Sequence, residues 1–572
     1  MRKIFTLMFA VMLAGQAWAQ EFVVDNFKYK IIDAEEHYVS IGAADTSQII
    51  GDLVIPSTVE NDGVTYTITE ISWGGFAECN KLTSVIIPNT VTRIGESSFP
   101  GCLKLKSVTI PNSVKTIGAW AFDDCLSLTS VTIPSSVKNI ERCAFQGCDN
   151  LTKAEFASIE SLLEIDFGPF YANPLWSAHS LYINGTEVTE IVIPNTINRI
   201  GSYTFEGCSG LTSVIIPNSV KSIGTGAFLD CDNLSKAEFA SIEHLLEIDF
   251  ESYYSNPLSC AHRLCISGTE VTELEIPNTI DSIGDYTFAG WRGLTSVTIP
   301  NSVTSIGEGA FDDCYNITSI TIPTSVTSIC KEAFWNCYNI SSITIPNTVA
   351  SIGEDAFCMA KNIIYSGNAE GSPWGALTVN GIIEGDFVYS DAEKTHLTAY
   401  IGNGGDIVIP DAVVNIGQYA FYHCTNLKSV TIPNTVDTIG YYAFAGCVAT
   451  LFCDFKERPN GWDYNWDGTH YNFDGSRYNI YQGNIIWQTA TPVTETAANA
   501  VSIYAYGKNI VVENATEEIS VYNVMGTLVC RNVARNVSTV AESGVRTELQ
   551  VNGTGVYIVK VGNIAKQVMV ND

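Results

Sequence analysis

Proline returns every 23 residues along much of this chain. Pro88, Pro111 and Pro134 are so spaced, as are Pro194 and Pro217, then Pro277, Pro300, Pro323 and Pro346, and finally Pro410 and Pro433. A unit that short buries too little apolar surface to stand alone, so its copies must stack and share a core. Each proline closes a stretch such as Leu294-Thr295-Ser296-Val297-Thr298-Ile299-Pro300, whose alternating Val297 and Ile299 mark a short strand. Proline suits the end of that strand, where its missing N–H breaks no ladder. Asn301-Ser302 makes the corner, Val303 and Ile306 turn inward, and Gly307 is expected to allow a tight turn. A phenylalanine follows at 76, 99, 122, 145, 205, 228, 288, 311, 334, 357, 421 and 444. The reading is a mainly β solenoid with short helices, its interior built of aligned Leu, Val, Ile and Phe columns.

Two gaps in the proline series copy one another at an offset of 83. Cys148-Asp149-Asn150-Leu151 returns as Cys231-Asp232-Asn233-Leu234, and Ala-Glu-Phe-Ala-Ser-Ile-Glu runs from Ala154 and again from Ala237. Phe156, Ile159, Leu162 and Leu163, like Phe239, Ile242, Leu245 and Leu246, have helical spacing. A helix is therefore expected to replace the usual turn in irregular coils near 154–190 and 237–273. A third such coil is expected near 364–407. The solenoid is placed at 71–450.

The unit Ile-Pro-Asn-Ser-Val-x-x-Ile-Gly-x-x-Ala-Phe-x-x-Cys-x-x-Leu-Thr-Ser-Val, seen from Ile110 onward, resembles the BspA-like leucine-rich repeat family. That resemblance implies a bacterial surface or secreted protein, with adhesion to host proteins or other cells among its roles. Residues 20–70 break the period and alternate apolar with polar positions, which reads as an N-terminal β cap over the first coil. Residues 451–497 are aromatic and read as a C-terminal cap. Residues 498–572, with Ile519-Ser520-Val521-Tyr522 and Val556-Tyr557-Ile558-Val559, read as a small antiparallel β-sandwich. This segment resembles type IX secretion sorting domains, without the Pro-Asn-Pro those domains carry near their start.

Arg2 and Lys3 before the apolar Ile4 to Leu13, then Ala17-Trp18-Ala19, predict a signal peptide over 1–19 and an exported protein, at the cell surface or extracellular. No later stretch is long and apolar enough to predict a membrane span. Lys plus Arg total 30 against 61 Asp plus Glu, a formal charge of −31, which argues against nucleic acid as a partner.

Seventeen cysteines in an exported chain raise the question of disulfides. Ten follow the repeat phenylalanine by three residues, and parallel Cβ vectors there favour a packed column of free thiols. Cys260 and Cys265 replace Ser177 and Tyr182 of the earlier copy together, so a local disulfide between them is an expectation. Asp463-Tyr464-Asn465-Trp466-Asp467-Gly468, with Asp474 at the twelfth position, has the spacing of a calcium loop. The competing reading makes the same segment, with its Trp462 and Trp466, an aromatic lid over the last coil. No motif for nucleophilic, metal-dependent or phosphate-cradling catalysis occurs, and the chain reads as a non-enzymatic binder needing no cofactor unless calcium.

Specificity in a solenoid belongs where the repeat varies. Positions beside the phenylalanine change from coil to coil and include Trp120, Tyr203, Tyr286, Trp335, Tyr419, Tyr422, Tyr441 and Tyr442. Such aromatics are what protein-binding surfaces enrich, so this edge is the candidate ridge for a protein ligand, against the reading in which coil-edge positions merely drift under weak constraint. Aromatic faces at Trp462 and Trp466 are the alternative, as a glycan-binding or glycan-acting surface. A third reading makes the chain a structural envelope component.

Overall fold

The computed structural model describes residues 21–455 and 457–467, then the strands Thr469–Tyr471, Arg477–Asn479 and Ile485–Trp487 and seven strands between 502 and 570. Two compact units divide them. The first holds the residues up to Cys337 with Pro346–Phe357 and Gly367–Trp374; the second holds Tyr338–Ile345, Cys358–Ser366 and those from Gly375 on.

Each regular coil carries two strands rather than the one its sequence advertises. Ser130–Ile133 pairs in parallel with Lys153–Phe156, and Thr116–Ile117 lies between Arg93–Ile94 and Asn139–Ile140, also parallel, with partners 23 residues apart. The Pro corner joins the two strands: the Val114 N–H donates to the Pro111 carbonyl at 3.2 Å. Val114, Ile117, Phe122, Cys125 and Leu128 of one coil are all fully buried. The phenylalanines stack ring on ring: Phe76–Phe99 at 5.2 Å, Phe99–Phe122 at 5.5 Å and Phe122–Phe145 at 5.4 Å. These spacings lie within the favourable range for aromatic pairs. The fold is a leucine-rich-repeat solenoid of about 23-residue period.

Glycine at the end of the second strand acts by closeness, not by turning. Gly118 and Gly307 do not have left-handed backbones. A Cβ on Gly118 would stand 2.6 Å from the Glu96 nitrogen, and one on Gly307 2.7 Å from the Asp285 nitrogen. The left-handed residues lie instead two before and two after each phenylalanine. Before it stand Gly74, Ser97, Trp120, Cys143, Tyr203, Gly226, Tyr286, Gly309, Glu332, Asp355, Tyr419 and Tyr442, with φ from 50° to 62°. Alternating handedness points every second N–H group at the next coil: Trp120, Phe122 and Asp124 donate to the carbonyls of Arg142, Ala144 and Gln146.

The irregular coils keep this ladder by substitution. Helix α1 (Ile159–Leu163) and helix α3 (Ile242–Leu246) stand between the two strands of their coils, where the Pro corner would be. Phe156 and Phe239 belong to the preceding strands, not to the helices, because Ser158 and Ser241 cap the helices and stop them there. Second helices, α2 (Leu175–Ala178) and α4 (Leu258–Ala261), follow the Asn-Pro pairs. Asn173 is fully buried and donates to the carbonyls of Tyr203 and Thr204, while its Oδ1 accepts from the Leu175 N–H; Asn256 repeats this with Tyr286, Thr287 and Leu258. A side-chain amide thus stands in for backbone. The stretch 364–407 differs from expectation: among its described residues there is no helix, but the antiparallel strands Ile382–Glu384, Phe387–Tyr389 and His396–Tyr400. Gly385 at φ 58° makes the hairpin turn that the alternating residues around it require.

Residues 21–71 form antiparallel strands Glu21–Val24, Phe27–Asp33 and Tyr38–Ala43, the last pairing in parallel with Val64–Ile71, which in turn pairs with Arg93–Ile94 of the first regular coil. In the second unit, two antiparallel sheets occur after residue 501, of three and four strands. Ile519, Val521 and Val559 are buried in the larger one. The segment 1–20, which holds the expected signal peptide, lies outside the described residues.

Candidate functional site

The coil edge is built by the left-handed residue before each phenylalanine. A bulky side chain at positive φ costs about 1–2 kcal/mol relative to glycine, yet Trp120, Tyr203, Tyr286, Tyr419 and Tyr442 all stand there. In the first unit these rings are separate and half-buried. The Arg142 guanidinium lies 4.3 Å from the Trp120 ring centre. The Tyr286 hydroxyl donates to Glu308 at 2.7 Å, and its ring lies over Gly309, as Tyr203 lies over Gly226.

In the second unit the rings gather into a cluster. Tyr419 meets Tyr422 at 5.5 Å, Tyr441 at 5.9 Å and Tyr442 at 6.0 Å; Tyr338 joins by stacking on His423 at 5.2 Å. Tyr442 is buried and forms the floor, whereas Tyr419, Tyr422 and Tyr441 are half-exposed. The expected single ridge is therefore a set of isolated rings in one unit and a contiguous aromatic patch in the other.

Trp462 and Trp466 are turned inward, away from the exposed position expected of a binding surface. They are 3 % and 2 % exposed, and Trp466 sits edge-on to Phe444 at 5.7 Å. The loop they flank is the next rung of the ladder, since Tyr442 and Phe444 donate to the carbonyls of Asn465 and Trp466. At the expected calcium loop, Asp463 Oδ1 accepts from the Asn465 N–H at 2.8 Å, and Asp467 is buried. Among the described residues no three His, Cys, Asp or Glu side chains converge as metal ligands, and Asp474 lies outside those residues.

The cysteine column is made of free thiols. Cys102, Cys125 and Cys148 donate to the carbonyls of Phe76, Phe99 and Phe122 in the coils before them, at 3.2 to 3.3 Å. Cys260 and Cys265 are also free, which corrects the expected disulfide. Cys260 has joined the column from helix α4, donating to the Phe228 carbonyl at 3.2 Å, while Cys265 sits in the strand Leu264–Ile266. His179 and His262 serve structure as well, each ring facing a glycine carbonyl, Gly207 or Gly290. Burial, with Arg292 nearby, lowers the His262 pKa and keeps that ring neutral.

A groove that the sequence did not disclose lies beside His262. It encloses about 480 Å³ and is walled by Tyr253, Tyr254, Arg292, Asp312, Asp313 and Trp335, with Asp230 and Asp232 at one end. Asp313 is held by three neighbours: the Tyr253 hydroxyl donates at 2.7 Å, the Asn336 amide at 2.8 Å, and Arg292 lies 3.9 Å away. Burial, and then Asp313 and Glu332, push the Asp312 carboxyl up to about 8. Trp335 alone among the candidate aromatics belongs to this groove. Its one trace in the sequence is that Asp230 and Asp313 stand at the left-handed position after the phenylalanine, where Gly101, Gly147, Gly207, Gly290 and Gly446 stand in other coils.

A comparison with curated proteins finds no match. Among solved structures, the chain is similar to a leucine-rich repeat protein of Bacteroides ovatus, at 23% identity over 82% of this chain and 99% of that one, with a TM-score of 0.30. It is also similar to a leucine rich cell surface protein of Faecalibacterium prausnitzii, at 21% identity over 62% and 96%, with a TM-score of 0.34. The pneumococcal vaccine antigen PcpA matches at 15% identity over 76% and 94%, with a TM-score of 0.35. A family model described as a BspA type leucine rich repeat region, in six copies, matches residues 69–180, 178–259, 262–367 and 400–458. The period, the stacked phenylalanines and this match over more than half the sequence place the chain in the BspA-type leucine-rich repeat family.

Proposed function

We propose that this chain is an exported, non-enzymatic surface protein that adheres to a protein partner through the aromatic edge of its coils. The observation that carries the reading is the set of aromatic side chains at left-handed positions. Glycine is the conformationally favoured residue there, as at Gly74, Gly226 and Gly309. Residues that hold unfavourable backbone geometry cluster at functional places, and aromatic rings supply much contact area with few rotatable bonds. Tyr419 and Tyr442 are two of these left-handed positions, and with the adjoining Tyr422 and Tyr441 they form a patch in which Tyr419, Tyr422 and Tyr441 are half-exposed and Tyr442 is buried. Among the described residues no helix is long and apolar enough to cross a membrane.

The test uses beads coated with the full chain, settling on a surface of solubilised basement-membrane protein. Replacing Tyr419, Tyr422 and Tyr441 together by Ser should reduce adhesion at least tenfold with the melting temperature little changed. Undiminished adhesion of the triple variant, or none by the parent protein, overturns the reading. Fractionation of the producing cells tests export: the chain should be found at the surface or in the medium.

A further inference from the structure

The groove of the first unit has properties the adhesive edge lacks. Its volume of about 480 Å³ lies within the usual range for small-molecule sites. Its walls combine aromatic rings with hydrogen-bonding groups of both senses. Asp312 Oδ1, an acceptor, and Arg292 Nε, a donor, are each buried with no hydrogen-bond partner. An unpaired buried polar atom costs about 1–3 kcal/mol, so a small repacking that presented both to one ligand would be favoured. Tyr254 is 44 % exposed and Trp335 half-exposed, leaving apolar ring surface at the same place.

These features select a ligand chemistry. An anion is repelled by Asp230, Asp232 and Asp313. A cation donates only, so it leaves Arg292 Nε unpaired and meets the guanidinium charge. A hydroxyl donates and accepts, and a pyranose ring carries several hydroxyls around an apolar face that can lie against an indole or phenol. The position of Asp312 strengthens this: with its carboxyl pushed up to about 8 it keeps a proton at neutral pH and becomes a donor too.

The duplication extends the groove. A second groove of about 360 Å³ occurs one 83-residue copy earlier, lined by Trp176, His179 and Asp149, and it shares Asp230 and Asp232 with the first. A ligand longer than one ring can therefore run from one to the other across those shared carboxylates. We propose that this double trough binds an uncharged oligosaccharide, with one sugar against Trp335 and Tyr254 and its hydroxyls bridging Arg292 and the flanking carboxyl groups. The site is separate from the Tyr419 patch, so either proposal can fail without the other.

The experiment titrates the full chain with neutral hexasaccharides of glucose, xylose, mannose and N-acetylglucosamine, followed by tryptophan fluorescence and calorimetry. At least one should bind, and Trp335→Ala should weaken it tenfold or more. Tyr254→Ala, at a more exposed position, should weaken it severalfold and covers the case in which the first variant misfolds. Arg292→Met should weaken binding again, whereas the Tyr419, Tyr422 and Tyr441 triple variant should bind as the parent does. The proposal is overturned if none of the four sugars binds at about 10 mM. It is overturned equally if binding survives Trp335→Ala and Tyr254→Ala.

Discussion

The ring of Tyr286 occupies the space in which a side chain on Gly309 would begin: a Cβ built there would lie 2.6 Å from the ring carbons Cδ1 and Cε1. The two residues hold the same repeat position in successive coils, both with left-handed backbones. Tyr203 and Gly226 repeat the relationship at 2.9 Å. At these two places an aromatic on the edge of one coil is accommodated by glycine in the next, whereas Trp120 and Tyr419 are followed by Cys143 and Tyr442.

Gly309→Ala should therefore act twice, through the backbone and through the displaced ring. The left-handed conformation contributes about 1–2 kcal/mol of destabilisation, and the Tyr286 to Glu308 hydrogen bond should be lost with the ring. A fall in melting temperature together with a changed near-ultraviolet tyrosine signal is expected. A variant with an unaltered signal would show that the ring had not moved.

Gly118 and Gly201 share a position in the repeat but should respond differently to alanine. At Gly118 a Cβ would meet Glu96 N at 2.6 Å and Gly95 C at 2.7 Å, so Gly118→Ala should destabilise by ~2–3 kcal/mol. Gly201 follows an irregular coil, and the nearest atom to its Cβ is Thr204 Oγ1 at 3.2 Å. Gly201→Ala should change stability by less than ~1 kcal/mol, because the added methyl also restricts the unfolded chain. Denaturant titration of the two variants side by side checks this.

Cys125 should resist alkylation in the native protein while Cys330 reacts. Cys125 is fully buried and its thiol donates to Phe99; Cys330 is exposed and replaces the usual glycine at the end of its second strand. Burial holds the Cys125 thiol pKa well above its ordinary value, which suppresses the reactive thiolate further. Mass analysis after brief iodoacetamide treatment reads both sites. Cys125→Ala should destabilise by ~1–3 kcal/mol through the lost sulfur packing and hydrogen bond.

Glu206 makes stability depend on pH. It is 3 % exposed, its Oε2 has no hydrogen-bond partner, and burial, with Asp230 nearby, raises its carboxyl to about 7. Because the folded value is raised above the unfolded one, the stability tied to its proton is complete below the ordinary carboxylate range. It is lost as pH rises through about 7. Glu206→Gln should thus differ little from the parent at acidic pH and melt higher at alkaline pH. Parallel melting curves of the two proteins from pH 5 to pH 8.5 would contradict this assignment.

The 23-residue period alone required stacked coils, since Val297, Ile299, Phe311 and Cys314 recur in fixed order and no single coil can bury them. It also located α1 and α3 through the spacing of Ile159, Leu162 and Leu163 and their copies. It misassigned Phe156 and Phe239, because helical spacing does not reveal where a serine cap stops a helix. It missed the second strand of each coil, whose two residues are too few to show a period.

Local pattern thus determined what must be buried, and the repeat determined that the buried faces align. Only the tertiary structure decided which surfaces remain outside. Trp462 and Trp466 are aromatic in the same way as Tyr419 and Tyr441, yet the tryptophans are buried against Phe455 and Phe444 while those tyrosines stay half-exposed. Asp312 and Arg292 are ordinary polar residues twenty apart in sequence, and they become one groove because the coils bring those positions side by side.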